Sequence, residues 1–112
     1  MAKPQDTKVE YRVKARPVQD KLSAFYKVLT DGSVENQSPD GSEIVASMRR
    51  AKATSPGVIE WYETCYCATP LKHERETVYD QYLSNIEAVP VATTSEITGE
   101  SFWSILESAS DV

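Results

Sequence analysis

The clearest periodicity in the chain runs from Lys8 to Arg16, where Val9, Tyr11, Val13 and Ala15 alternate with Lys8, Glu10, Arg12, Lys14 and Arg16. A period of two places the two sets on opposite faces of a strand, one apolar and one mostly basic. Pro17 ends the strand, because proline cannot donate to a ladder. Residues 18–37 admit two patterns. Val18, Leu22, Phe25, Tyr26 and Leu29 have helical spacing, with Gly32 as a cap. The run from Ala24 to Leu29 is also rich in strand formers, and Asp31-Gly32 is a hairpin turn signal, with Val34-Glu35-Asn36 as the return strand. The hairpin is the preferred expectation.

Ser38-Pro39-Asp40-Gly41 reads as a turn. Asp40 or Ser42 then caps a helix with Glu43 in its first turn, and Ile44, Val45, Met48 and Ala51 share one face. Arg49, Arg50 and Lys52 suit the negative end of its dipole, and Ser55-Pro56-Gly57 stops it. Val58 to Ala68 is aromatic and β-branched, which predicts a central strand. Ile59, Trp61, Glu63, Cys65 and Cys67 lie on one face, and Val58, Glu60, Tyr62, Thr64 and Tyr66 on the other.

Thr69-Pro70 opens a predicted helix bearing Leu71, Val78, Tyr79, Tyr82, Leu83 and Ile86, with a strand over 76–83 as the alternative. Ile86 to Ala92 forms a further strand, and Pro90 assigns it to an edge. Thr93 to Gly99 is polar. Thr98 caps a last amphipathic helix with Phe102, Trp103, Ile105, Leu106 and Ala109 on its apolar side. The expected organisation is a core domain over 1–92, then a polar linker and a docked C-terminal helix over 93–112. The expected fold class is α+β, a small antiparallel or mixed sheet with helices packed on one face. A ferredoxin-like βαββαβ order and a β-meander followed by helices are the two candidate arrangements.

Composition adds bounds. The chain has 112 residues, 40% hydrophobic and 26% charged, enough to bury roughly two thirds of its unfolded surface in one core. No apolar run has the length of a membrane span, and the first residues are polar, so no membrane partner and no secretory signal are expected. Two cysteines one residue apart cannot build a disulfide framework, and the expectation is a reducing cytoplasmic setting. Net charge is −5, but it is unevenly distributed. Residues 1–75 hold all 12 Lys and Arg and 10 of the 17 acids; residues 76–112 hold only acids. Such a chain can set its acidic end against its own basic surface or that of a partner.

Four groups of residues carry candidate chemistry. Cys65 and Cys67 share a strand face, with His73 and Glu74 beyond a proline, three quarters of a zinc site but with spacing unlike a zinc knuckle. The plainer reading is two buried apolar thiols, so no metal and no cofactor are expected. His73, the only histidine, with Glu74, Glu76, Glu60 and Glu63 offers an acid–base set, unsupported by any phosphate loop or nucleophile motif. Glu63 interrupts an apolar face, which predicts a rim position, a basic partner or a perturbed carboxyl. Glu60 is the expected partner of the first strand's basic face if the two strands are neighbours. Arg12, Lys14 and Arg16, with Tyr62 and Tyr66, form a basic and aromatic strand face. Nucleic acid is nevertheless not expected from an acidic chain. Phe102, Trp103, Ile105 and Leu106 form a stripe suited to a protein partner or self-association. The resulting expectation is an association or accessory module, a homo-oligomer or subunit, and the alternative is an enzyme or redox protein using Cys65, Cys67 and His73.

Overall fold

The structure is a computed structural model that describes residues 9–37, 41–65 and 75–110, the Cys65 side chain excepted. Strand β1, Val9–Pro17, keeps the predicted alternation: Tyr11, Val13 and Ala15 are buried, while Lys14 and Arg16 are exposed. A 3-10 turn, Gln19–Lys21, leads into helix α1, Leu22–Thr30. The hairpin expected for residues 18–37 does not form. In a strand, Phe25, Lys27 and Leu29 would share a face and bury a charge. In the helix, Leu22, Phe25 and Leu29 share the buried face and Lys27 stays exposed. Phe25 stacks on Tyr82 at 4.6 Å and meets Phe102 at 6.3 Å, contacts distant in sequence that favour the helix. The Asp31-Gly32 signal ends α1, with Asp31 N donating to Lys27 O and Gly32 at φ +92°.

Helix α2, Gly41–Arg50, buries Ile44, Val45 and Met48 as predicted. Residues 38–40, including the proposed Asp40 cap, lie outside the described residues. Arg50 bonds both Glu43 (2.7 Å) and the Tyr62 carbonyl, tying the helix to the sheet. The helix is shorter than expected. Lys52–Ser55 is strand β2, and Pro56-Gly57 turns the chain into strand β3, Val58–Cys65. Residues 52–55 have no apolar helical face to bury, but β2 finds a partner: Lys52 pairs with Glu60 and Ala53 with Ile59.

Residues 66–74, with the predicted helix start at Thr69-Pro70, lie outside the described residues. A π-helical turn, Arg75–Tyr79, continues as Asp80–Tyr82, together helix α3, and buries Val78 and Tyr79. A strand over 76–83 does not form. Leu83 and Ile86, expected on the helix, belong to strand β4, Leu83–Pro90. β4 begins three residues early because Leu83 pairs with Pro17, while a register shift between Lys14 and Arg16, with Asn85 at φ +52°, absorbs the extra residue. Strand β5, Glu100–Ser101, follows, then helix α4, Phe102–Ser110. Ser101, rather than Thr98, caps α4: its Oγ accepts from Ser104 N.

The strand order is β4-β1-β3-β2-β5, and every pair is antiparallel. The protein is therefore α+β, with a five-stranded antiparallel sheet. A meander is not formed, since β1 lies between β3 and β4. Through β4 the connectivity follows the βαββαβ order, with α1 and α2 together in the first crossover and β5 and α4 added after it. β4 is an edge, as Pro90 predicts. The helices share one core with a single sheet face: Val13, Ile59 and Trp61 from the strands pack with Phe25, Ile44, Met48, Phe102 and Leu106.

Phe102 has no exposed surface and joins α4 to α1 through Phe25, which in turn stacks on Tyr82. Replacing it (Phe102→Ala) is expected to cost about 3–5 kcal/mol, read as a lowered midpoint in chemical denaturation. Trimming the exposed Ser104 to Ala should shift the midpoint by no more than about 0.5 kcal/mol.

Candidate functional site

Alternation along β3 sorts its polar residues between two environments. Glu63 points into the covered face and is fully buried. Its Oε1 accepts from Trp61 Nε1 at 2.8 Å and from Tyr79 Oη at 2.7 Å. Trp61 and Tyr79 also meet edge to face at 5.5 Å. A carboxyl group out of water is costly unless it is hydrogen-bonded, and these two donors meet that need at Oε1. Glu63 is thus an interior residue and not a rim residue. Arg12, Lys14 and Arg16 lie on the opposite face and do not reach it.

Cys65, whose side chain is not described, pairs with Val9 across the sheet. Cys67, His73 and Glu74 lie outside the described residues, so the cysteine–histidine candidate has no geometry here. Among the described residues, no group of three or more His, Cys, Asp or Glu side chains could hold a metal ion.

The open face of the sheet carries a second polar cluster. Arg12 Nε and Nη2 both reach Glu60 Oε1 at 2.9 Å, and Nη1 donates to Tyr62 Oη at 3.0 Å. Glu60 Oε2 accepts from Thr54 Oγ1 at 2.6 Å. Partial burial pushes the Glu60 carboxyl up, but the Thr54 hydroxyl, the Arg12 hydrogen bond and the charges of Arg12 and Lys14 outweigh it and hold it below the usual range. The bond to Glu60 in turn raises the Arg12 guanidinium above its ordinary value. The first strand's basic face therefore has the partner expected for it. Lys14 lies between Glu60 and Glu87, and Glu60 lies between Lys14 and Lys52, so signs alternate across the sheet.

The segment from Val91 to Gly99 leads from β4 at one edge to β5 at the other. Val91 N donates to Glu10 O, and Ser95 reaches Tyr62 Oη through its N–H (3.2 Å) and its hydroxyl (3.3 Å). Hydrogen bonds from the Ser95 hydroxyl and backbone, followed by Arg12, lower the Tyr62 phenol pKa from its ordinary value. Gly99, at φ +152°, lies where a side chain would strike the Ala53 carbonyl.

A third cluster forms where α1, α2 and α4 meet. The Arg49 guanidinium sits 4.2 Å from the Trp103 ring centroid, and Tyr26 meets Trp103 edge to face at 5.4 Å. Tyr26 Oη donates to Glu107 Oε2 at 3.4 Å. The four residues of the predicted partner-binding stripe thus separate: Phe102 and Leu106 are buried in the core, while Trp103 and Ile105 are half-buried. Tyr26 and Arg49 were not among the sequence candidates. Their spacing in the chain carries no signal for the cluster, because three separate helices bring it together.

The chain matches no known family model, no curated protein and no solved structure at a significant level. Among the described residues, no helix is long and apolar enough to cross a membrane.

A phenol whose folded pKa lies below its unfolded value adds stability above the unfolded pKa and loses it as pH falls through the folded one. Ultraviolet titration should therefore find a tyrosine transition below 10.0 that is absent in Tyr62→Phe and moved back up in Ser95→Ala. The gap in thermal midpoint between the native chain and Tyr62→Phe should widen as pH rises through that transition.

Proposed function

We propose that the protein acts by association, as a homo-oligomer or accessory subunit, and that a second copy of the chain is what α4 and its neighbours bind. The observation that carries this reading is the Arg49–Trp103–Tyr26 cluster. Trp, Tyr and Arg are the residue types that dominate binding energy at protein interfaces, because each presents a large contact surface with a polar tip. Here they are already ordered by contact with one another, which lowers the entropy lost on docking.

Charge favours a second copy as the occupant. α2 has Arg49 and Arg50 in its last turn, and α4 contributes Glu107 with no basic residue. A two-fold contact places the same patch on both subunits. Arg49 of one copy can then face Glu107 of the other, with Trp103 and Tyr26 between them. The division of the chain into a basic part and an acidic part acquires a use in this arrangement, since both signs meet on one surface. Ala46, Ser104 and Ser108, exposed on α2 and α4, leave room for close approach of a partner helix.

Light scattering and sedimentation equilibrium test this reading. The native chain is expected to be a dimer that weakens at high salt. Trp103→Ala should raise its dissociation constant about tenfold or more, equivalent to about 1.4 kcal/mol. Arg49→Glu should weaken the dimer, and Arg49→Glu combined with Glu107→Arg should restore it. A chain that stays monomeric up to about 1 mM overturns the reading. So does a dimer that none of these variants changes.

A further inference from the structure

Strand β4 ends the sheet on one side. Just past it, the Val91 N–H donates to Glu10 O, toward β1. Backbone groups alternate in direction along an antiparallel strand, so those of Glu87 and Val89 face β1 as well. The N–H and C=O of Ala88 and the Pro90 carbonyl therefore point away from the sheet. Among the described residues, no backbone group outside the β1 ladder bonds to them. Natural edges are blunted by bulges, prolines and lysines. β4 has a register shift near Asn85 and a proline at its end, but residues 86–89 between them carry no base and only one acid, Glu87. Val89, 57% accessible, is the one exposed large apolar side chain among the described residues.

This edge is complementary to itself. When two copies of β4 pair antiparallel about a two-fold axis, residues directly opposite must share a face. The registers centred on the middle of the run set either Glu87 opposite Glu87 or Ala88 opposite Ala88. The first brings like charges face to face, which destabilises a sheet. In the second, the Ala88 N–H of each copy donates to the Ala88 carbonyl of the other. Pro90 then lies opposite Ile86 at the end of the seam, where its missing N–H interrupts least. On the covered face, the row across the seam reads Val13, Ala88, Ala88, Val13, and the next reads Tyr11, Pro90, Ile86, all apolar. On the open face it reads Arg12, Val89, Glu87, Lys14, with the acid beside the lysine of its own copy and no like charges adjacent. We propose that the outer edge of β4 joins a second copy of the chain in this Ala88-centred register, continuing the sheet from one copy into the other. The seam is separate from the α4 surface and does not rest on it.

Residue-resolved hydrogen exchange on the full chain reads the seam directly. The Ala88 amide should exchange about fivefold more slowly at about 1 mM chain than at about 10 μM, which corresponds to a dissociation constant of about 0.1 mM. The Val89 amide, held by β1 at both concentrations, should not change. Two variants at the exposed position 89 test the register. Val89→Lys sets a cation opposite Glu87 of the second copy and should tighten the contact about fivefold, and Val89→Glu should loosen it by about as much. Trp103→Ala should leave the Ala88 effect in place, so a failure at α4 and a failure at β4 are told apart. An Ala88 amide that exchanges equally fast at both concentrations overturns the proposal. So does an effect that disappears in Trp103→Ala, or one that the two Val89 variants move in the same direction.

Discussion

The register of β1 against β3 sets where almost every polar group of the molecule lies. Val13 faces Trp61, Lys14 faces Glu60, and Arg12 faces Tyr62. Because side chains alternate, a one-residue slip of β3 against β1 would move Trp61 and Glu63 into water and carry Glu60 and Tyr62 into the core, away from Arg12. The cost of burying Glu60 without its Arg12 partner in place of a tryptophan makes the observed register the stable one. Two acids of β3 acquire opposite roles from it. Glu60 holds the open face together through Arg12 and Thr54, and Glu63 accepts hydrogen bonds from Trp61 and Tyr79 beneath the helices.

The helical layer depends on that covered face and on a few aromatic contacts within it. Phe25 of α1 stacks on Tyr82 of α3 and meets Phe102 of α4 at a tilt. Through Phe102, the C-terminal helix is part of the core, and its leading residue also donates its N–H to Ala51 O at the end of α2. Burial of Phe102 and Leu106 leaves Trp103 half outside, on the side facing α1 and α2. The proposed association surface is therefore a by-product of how α4 packs: the same turn that anchors the helix presents Trp103 to Arg49 and Tyr26.

On the open sheet face the basic stripe of β1 meets acids from the neighbouring strands. Arg12 is held by Glu60 and Tyr62, and Lys14 has acids on both neighbouring strands. The segment from Val91 to Gly99 adds Ser95 to Tyr62 over the same face. Arg16, at the end of the stripe, pairs with Ser84 of β4 and lies outside this network.

Where the periodicity is unambiguous, spacing along the chain is enough to set the element and its faces. β1, β3, the apolar face of α2 and the edge position forced by Pro90 all follow from spacing and proline chemistry, and so does the α+β class. The pairing of Glu60 with the basic face of β1 follows too where the two strands are neighbours, while the choice of Arg12 as its cation belongs to the fold. The remaining elements depend on contacts distant in the chain. Residues 22–30 carry two valid patterns, and only contacts with Tyr82 and Phe102 select the helix. Residues 52–55 and 83–85 have weak local preference and become strand because β3 and β1 offer them partners. Glu63 stood out as an acid on an apolar face, but its depth and its donor Tyr79 belong to the fold. The cluster of Tyr26, Arg49 and Trp103 had no signal in the chain at all: a site built from three helices exists only after the core beneath it has set their positions.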